Sequence, residues 1–545
     1  MRPRTPSTPR RRLARRALAP AAAVLLLLTL APPAAAQPRG LTVDASTPWS
    51  LAGWPVPVQI VAHSPRDVTL AVDVTCGTVA AQARFPVAAN ARVRRTVLVP
   101  TTDLNSYGCA PRVRWTTDAG DEGVASGTIA QNSLDVALVT PHAQAWVDQE
   151  WRVADVTAQS LPDRWQGFPL DAAFVIGAEA DAALTDAQRG ALATWSRAGG
   201  TLLLLGLGDR VSRWEALGAV PTVDADGYQD PLQAWLEKGQ EVTASAWRHR
   251  VPGTESVPVG GFIIVALLFA VLAGPVNLWW CIKKKNKRGL FLLTTPLLSL
   301  GASGILIGYN LVSEGLGVKR AAFQLTWLDG AQHTAMNITA VTFFSGTGID
   351  EFEVGPEVFV RPILSVESAP DIYDPVEEAP SPRGTVWTDV AQRLTGEWIP
   401  TRKNRMLTFF SPEAERRRLT LERSGAGYRL VNGLDVTAHG VWWVGPDEQV
   451  WFCADLAPGG SCEMKQSPGG LPSGGIPYGR LGAASERLWH RAARPNHFAA
   501  ELVDVTFSPV PGPDASDEAP LQGWVLGPLA PSAPVPADTP EEVTP

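Results

Sequence analysis

The sequence predicts a multidomain, membrane-anchored protein. It should carry a β-sandwich and a small α/β layer, then a two-helix transmembrane hairpin, then a C-terminal β-rich domain. Three observations predict this. Two long apolar runs without charge flank a basic loop near the middle of the 545 residues. Ahead of them, alternating strand patterns give way near residue 134 to continuous apolar runs separated by a helical stripe. Behind them, strand-like segments resume from about residue 318.

The apolar runs are 260–282 (GGFIIVALLFAVLAGPVNLWWCI) and 289–312 (GLFLLTTPLLSLGASGILIGYNLV). Each is long enough, at 1.5 Å per residue, to cross a hydrocarbon core of about 30 Å. A backbone in lipid must satisfy its own hydrogen bonds, so each run should be a helix. The loop between them, 283–288, holds Lys283, Lys284, Lys285, Lys287 and Arg288. Such a cluster stays in the cytoplasm, which puts the remainder of the chain on the opposite side. The start of the chain agrees. Residues 1–16 carry seven Arg and no acid, an apolar segment follows from Ala17 to about Leu30, and Ala34-Ala35-Ala36 offers a small-x-small cleavage pattern. Residues 1–36 read as a secretory signal peptide cut after Ala36. An uncleaved signal anchor is the alternative, and either one exports residue 40 onward. The expected location is the cytoplasmic (inner) membrane, with both large segments extracytoplasmic.

The chain has 47 Lys+Arg and 54 Asp+Glu. Removing the seven leader arginines leaves 40 against 54, a balance of −14. An acidic exterior argues against nucleic acid, which requires a concentrated basic face. It also argues against a surface that clings to anionic headgroups. Four of the five cysteines fall in exported segments, and export favours disulfides. Cys76 and Cys109 form one expected pair, Cys453 and Cys462 another that would staple a hairpin, and Cys281 remains reduced at the cytoplasmic end of the first span.

Residues 41–132 alternate with period two. Val56, Val58 and Ile60, then Val68, Leu70, Val72 and Val74, mark half-buried strands broken by turns, the pattern of an immunoglobulin-like sandwich. Residues 133–250 change character: 134–140, 171–177 and 201–206 are continuous apolar runs suited to a parallel sheet buried on both faces. Thr185 and Gln188 form a capping-box pattern ahead of the stripe Ala187, Ala191, Leu192, Trp195 and Ala198, and Gly199-Gly200 stops the helix. A second helix is expected at 231–238. The stretch LDAAFVIG…LTDAQRGALATWSRAGGTLLLLG, with the later GPVNLWW and LLTTPLL, resembles a family of bacterial envelope membrane proteins. Those proteins join an extracytoplasmic glutamine-amidotransferase-like domain to a transmembrane hairpin, and some related domains belong to transporter accessory subunits. The likeness covers roughly 134–315. It implies the fold and the location but no active site, because an amidotransferase needs a cysteine nucleophile and 134–250 contains none. His142 and His249 have nothing to activate.

The 318–507 region reads as β-rich, with strand character at 323–327, 334–344, 406–410, 418–422, 428–431 and 440–444. Its 428–465 meander, with NGL and LAPGG turns, resembles a C-terminal β-sandwich module of bacterial surface proteins. A Pro/Glu-rich linker is expected at about 366–385. A flexible Pro/acid-rich tail is expected over 508–545, apart from 522–526.

Chemistry is sparse. Gly206-Leu-Gly208-Asp-Arg-Val follows a strand but lacks the third glycine of a dinucleotide site, and a plain turn is the better reading. His490 and His497 share no third ligand. Asp371, Asp374, Glu377 and Glu378 read as a solvated linker. Arg416-Arg417-Arg418 reads as a charged strand edge. Neither metal nor cofactor is expected, nor any catalytic residue. Trp442, Trp443 and Trp451 form a candidate binding surface, since one of two successive strand residues should face outward; core packing is the alternative. Gly304/Gly308 and Ala270/Gly274 are small-xxx-small pairs that should pack the hairpin on itself, or form a homo-oligomer. The expected role is non-enzymatic, scaffolding or binding other envelope proteins. The rivals are an accessory subunit of an export or ABC-type transporter and, ranked last, a wall or glycan hydrolase or amidase.

Overall fold

The computed structural model describes residues 40–51, 54–77, 79–100, 110–129, 134, 136–139, 153–219, 222–223, 251, 259–283, 290–315, 317–363, 383–388, 390–425, 427–472, 483–518 and 521–531. The signal peptide, the 231–238 helix, most of the 366–385 linker and residues 532–545 lie outside them. So do His142, His249, Cys109, Lys284, Lys285, Lys287, Arg288 and the acidic cluster at 371–378. Among the described residues the molecule is strand-rich, with five sheets.

The N-terminal region packs two sheets face to face. One runs in the order Arg92–Val99, Val56–His63, Thr42–Thr47, Thr128–Ile129. The other includes Val79–Val87, Val68–Cys76, Arg112–Thr117 and Glu122–Ser126. Inward positions alternate as the period of two requires: Val58, Ile60, Leu70, Val72, Val74, Val113 and Trp115 meet in one core. The second sheet does not stop at Val79–Val87. That strand pairs in parallel with Arg383–Trp387, Arg383 opposite Val79 and Val386 opposite Gln82. Gln392–Ile399 and Ile349–Val354 extend it to seven strands. The end of the expected linker is therefore a strand, and three strands from beyond the helices complete a sheet begun before them.

The α/β layer is a five-stranded parallel sheet in the order Val153–Asp155, Val136–Val139, Ala173–Gly177, Thr201–Leu205, Thr222–Val223. In chain order this is 2-1-3-4-5, a doubly wound arrangement. All five residues of Ala173–Gly177 are buried. The helix Asp186–Arg197 opens with the expected capping box, Gln188 N–H to Thr185 Oγ1 at 3.3 Å and Thr185 N–H to Gln188 Oε1 at 3.0 Å. It ends where Gly199 adopts φ +98°. Its buried Trp195 meets Phe174 edge-on at 5.1 Å and Phe168 at 6.0 Å.

The largest sheet has ten strands around Val318–Asp329, which pairs along its length with Thr334–Ser345. Its other neighbour is Gln522–Pro528, in parallel register. The chain after 508 differs in part from the expected flexible tail: Ser508 and Val510 are buried, while 522–526, expected as the exception, is a strand with Trp524, Val525 and Leu526 in the core. The helix Ala483–Ala492 lies between this sheet and the α/β layer, and Leu488 and Trp489 share a core with Trp195 and Trp524.

The central helices run as Val259–Val271, a π turn at Leu272–Val276, Asn277–Lys283, and then Leu290–Glu314. Ile263–Lys283 is long and apolar enough to cross a membrane, while Leu292–Gly308 is a shorter apolar stretch. Pro275 sits in the wide turn, where its missing N–H is accommodated. The helices contact each other through Asn277: its amide donates to Thr295 Oγ1 at 3.2 Å and accepts from Thr294 Oγ1 at 2.8 Å. The small-residue pairs do not make that contact. A Cβ placed on Gly274, Gly304 or Gly308 would meet nothing within 4 Å, and Ala270 is exposed. The polar clamp is one contact between the two helices, and Val259–Val271 also lies close against Leu290–Glu314.

Candidate functional site

Doubly wound sheets bind ligands beyond the carboxyl ends of their strands, and that edge holds a buried ionic cluster. Ala173–Gly177 leads into the short helix Ala178–Ala183. Thr201–Leu205 leads into a turn where Gly206 and Gly208 take φ +63° and +53°. Asp181 is buried between them. Its Oδ1 accepts from Arg189 Nε at 3.2 Å and Trp214 Nε1 at 3.1 Å, and its Oδ2 from Arg210 at 3.4 Å. Arg189 also reaches the Asp181 carbonyl at 2.5 Å and Asp186 at 2.9 Å, while Arg213 meets Asp186 at 2.7 Å. Three donors occupy the Asp181 carboxylate. Its work is to fasten the helices and the glycine turn to each other. The glycines serve that turn.

A second junction forms where the sandwich, the α/β layer and the large sheet meet. Trp54 stacks on Phe359 at 5.7 Å, carries the Arg361 guanidinium over its ring at 4.2 Å, and donates to Asp171 at 2.8 Å. Trp165 donates to the Glu357 carbonyl at 3.1 Å and Gln166 to that of Pro356 at 3.2 Å. Gln392 donates to the carbonyls of Gly355, Pro356 and Val358. A small, mostly apolar cleft beside these contacts is walled by Leu98, Phe359, Trp387 and Trp398. The seam joins the layers.

The third built contact comes from Ala483–Ala492. Arg491 donates to the carbonyls of Ser196 at 2.6 Å and Gly200 at 2.8 Å; Arg487 donates to those of Gly199 and Leu170, both at 2.6 Å. The two guanidiniums cap the carboxyl end of Asp186–Arg197, where backbone acceptors and the helix dipole favour a cation. Burial, reinforced by the charges of Arg487 and Arg494, pulls Arg491 down to about 9, so it remains a cation at neutral pH.

The tryptophans expected as a surface are covered on both sides. Trp443 is fully buried, with its indole N–H on the Leu529 carbonyl at 2.8 Å and Tyr428 edge-on at 4.6 Å. Trp442, on the opposite face, stacks on Trp524 at 5.8 Å and lies 5.1 Å from Phe452. Trp451 packs on Tyr428 at 5.1 Å. Alternation does send the two neighbours opposite ways, but both faces of this strand are occupied. The Cys453–Cys462 disulfide forms, yet it links a strand of the large sheet to one of a separate three-stranded sheet instead of closing a hairpin. Cys76 is disulfide-bonded, with its expected partner Cys109 outside the described residues. Cys281 is free and buried. Arg417, in the middle of the expected charged edge, turns inward onto Glu415 at 2.6 Å and lies over the Phe507 ring at 4.0 Å. His490 lies near Glu486 at 3.6 Å and His497 at the Pro495 carbonyl at 2.9 Å, two separate environments. Among the described residues no group of three His, Cys, Asp or Glu could hold a metal ion.

Sequence reasoning passed over Asp181, Arg189, Arg487 and Arg491. A signal existed for the last two: they stand four apart beside Leu488, Trp489 and Ala492, so the helix's apolar face carries arginines on its margin. No known protein family matches the chain, and no curated protein matches it.

Proposed function

We propose that this chain is a non-enzymatic, membrane-anchored cell-envelope protein whose extracytoplasmic body scaffolds or binds partner proteins. One observation carries the reading: the helical pair interrupts the sequence without dividing the body. Val79–Val87, before the helices, pairs with Arg383–Trp387, after them. Arg487 and Arg491, after them, cap a helix that precedes them. A continuous sheet cannot lie on both sides of a bilayer, so any crossing by Ile263–Lys283 requires a return. Leu290–Glu314, about 37 Å long at 1.5 Å per residue, is the return span. The cations at 283–288 then hold the connection in the cytoplasm and the body outside. The two-sheet packing supports the immunoglobulin-like reading of the first domain. The 2-1-3-4-5 strand order supports an amidotransferase-like ancestry for the second.

Topology is tested with Val390→Cys, on an exposed body position, and Asn286→Cys, each in a Cys281→Ser background. An impermeant maleimide is expected to label the first in intact spheroplasts and the second only after permeabilisation. The reverse pattern would overturn the orientation. Crosslinking in membranes followed by mild-detergent purification is expected to recover an envelope partner at fixed stoichiometry. A many-spanning permease would specify the transporter-accessory form, and a protein recovered alone would count against scaffolding.

A further inference from the structure

We propose that the turn Thr401-Arg402-Lys403-Asn404 is a contact for anionic phospholipid headgroups on the outer leaflet. The inference rests on the membrane reading above. The register of the large sheet identifies which end of the body faces the bilayer. The helix Leu290–Glu314 leads into Val318–Asp329 through three residues, a reach of at most ~14 Å. On the entry side, Val251 packs on Ala321 and Phe344 of the same sheet end. Val318 lies opposite Ser345, and Ser345 bridges to Thr401. The turn is therefore two strand spacings, about 10 Å, from Val318, the first residue of the strand that follows the helix.

The turn is built and exposed. Arg402 holds φ +55° and donates its backbone N–H to the buried Ser345 carbonyl at 2.8 Å. Residues 401 to 404 all face solvent. They include two cations and no acid, and Lys319 and Arg405 follow one and two residues further into the sheet. The acids nearest this end are Asp350 and Glu397, on the paired strands that run up to the turn, and Asp514, Asp517 and Glu518, beside the Val318–Arg320 edge. The net negative charge of the exterior does not decide the matter. Charges beyond about 10 Å are screened, whereas cations at the headgroup plane act at contact. A guanidinium carries five donors and an ammonium three, so one contact inside the protein does not exhaust either. Each cation near an anionic surface is worth about fivefold in association.

The test uses full-length protein reconstituted into nanodiscs of four parts phosphatidylcholine to one part phosphatidylglycerol, with lipids retained on release counted by native mass spectrometry. The wild type is expected to retain phosphatidylglycerol at about threefold or more above its bulk share. Arg402→Asn with Lys403→Gln, which keeps a residue tolerant of positive φ and leaves the 283–288 loop intact, is expected to remove most of that excess at unchanged melting temperature. Enrichment equal in wild type and variant would overturn the proposal by assigning the lipid to the cytoplasmic loop, and a bulk ratio in the wild type would overturn it outright. A chain that enters neither these discs nor pure phosphatidylcholine discs would overturn the membrane reading and this inference with it.

Discussion

The strand-rich body and the helical pair are built by opposite rules. In the body, Trp195, Phe174 and Leu192 are inside, and buried charges such as Arg189 and Arg491 are received by a carboxylate or by carbonyls. In the helical pair, Leu292 is 79% exposed and Leu300 72%, while the amide of Asn277 is buried between the helices. Water sorts side chains by polarity in the first region. The second fits the proposed membrane setting, a medium in which leucine gains nothing by hiding and a polar group must find a partner.

That contrast can be broken from either side. The largest effect is expected at Trp195→Ala, which empties the aromatic cluster against Phe168 and Phe174 and should cost about 3–5 kcal/mol in denaturant unfolding. A loss below 1 kcal/mol would mean the α/β layer is not held by its core. Cys453→Ser with Cys462→Ser opens a nine-residue link between two sheets and should cost about 2–3 kcal/mol, seen as a lower denaturant midpoint. Arg491→Met leaves the carboxyl end of Asp186–Arg197 without its cap, at about 2 kcal/mol. If methionine is neutral, burial of the guanidinium cancels its two hydrogen bonds. Asn277→Leu should be the mildest, about 0.6–1 kcal/mol in detergent-resistant helix association. An effect as large as that of Trp195→Ala would erase the distinction between the two regions.

Legibility in the sequence followed locality. The capping box at Thr185 and Gln188, the helix stop at Gly199 and the alternation from Val68 to Val74 are set by neighbours within a few residues, and each reads directly. The pairing of Val79–Val87 with Arg383–Trp387, the central seat of Gln522–Pro528 and the covering of Trp442 depend on segments far apart in the chain. No local period encodes which distant strand fills an edge. The ionic cluster at Asp181 was hidden for a related reason. Its participants, Asp181, Asp186, Arg189, Arg210, Arg213 and Trp214, come from four segments, and their convergence is a property of the sheet order rather than of any spacing.

The interleaved sheet also sets a timetable. Val79–Val87 emerges with one edge open, and its partner Arg383–Trp387 is made roughly 300 residues later, after the helical pair. At typical synthesis speeds of about 5–20 residues per second, that is some 15–60 s of waiting. Gln522–Pro528, which completes the large sheet, comes later still. For that interval the first half offers an unsatisfied strand to any passing chain. Its quality control is therefore a matter of guarding one edge until the ribosome finishes the other half of the same sheet.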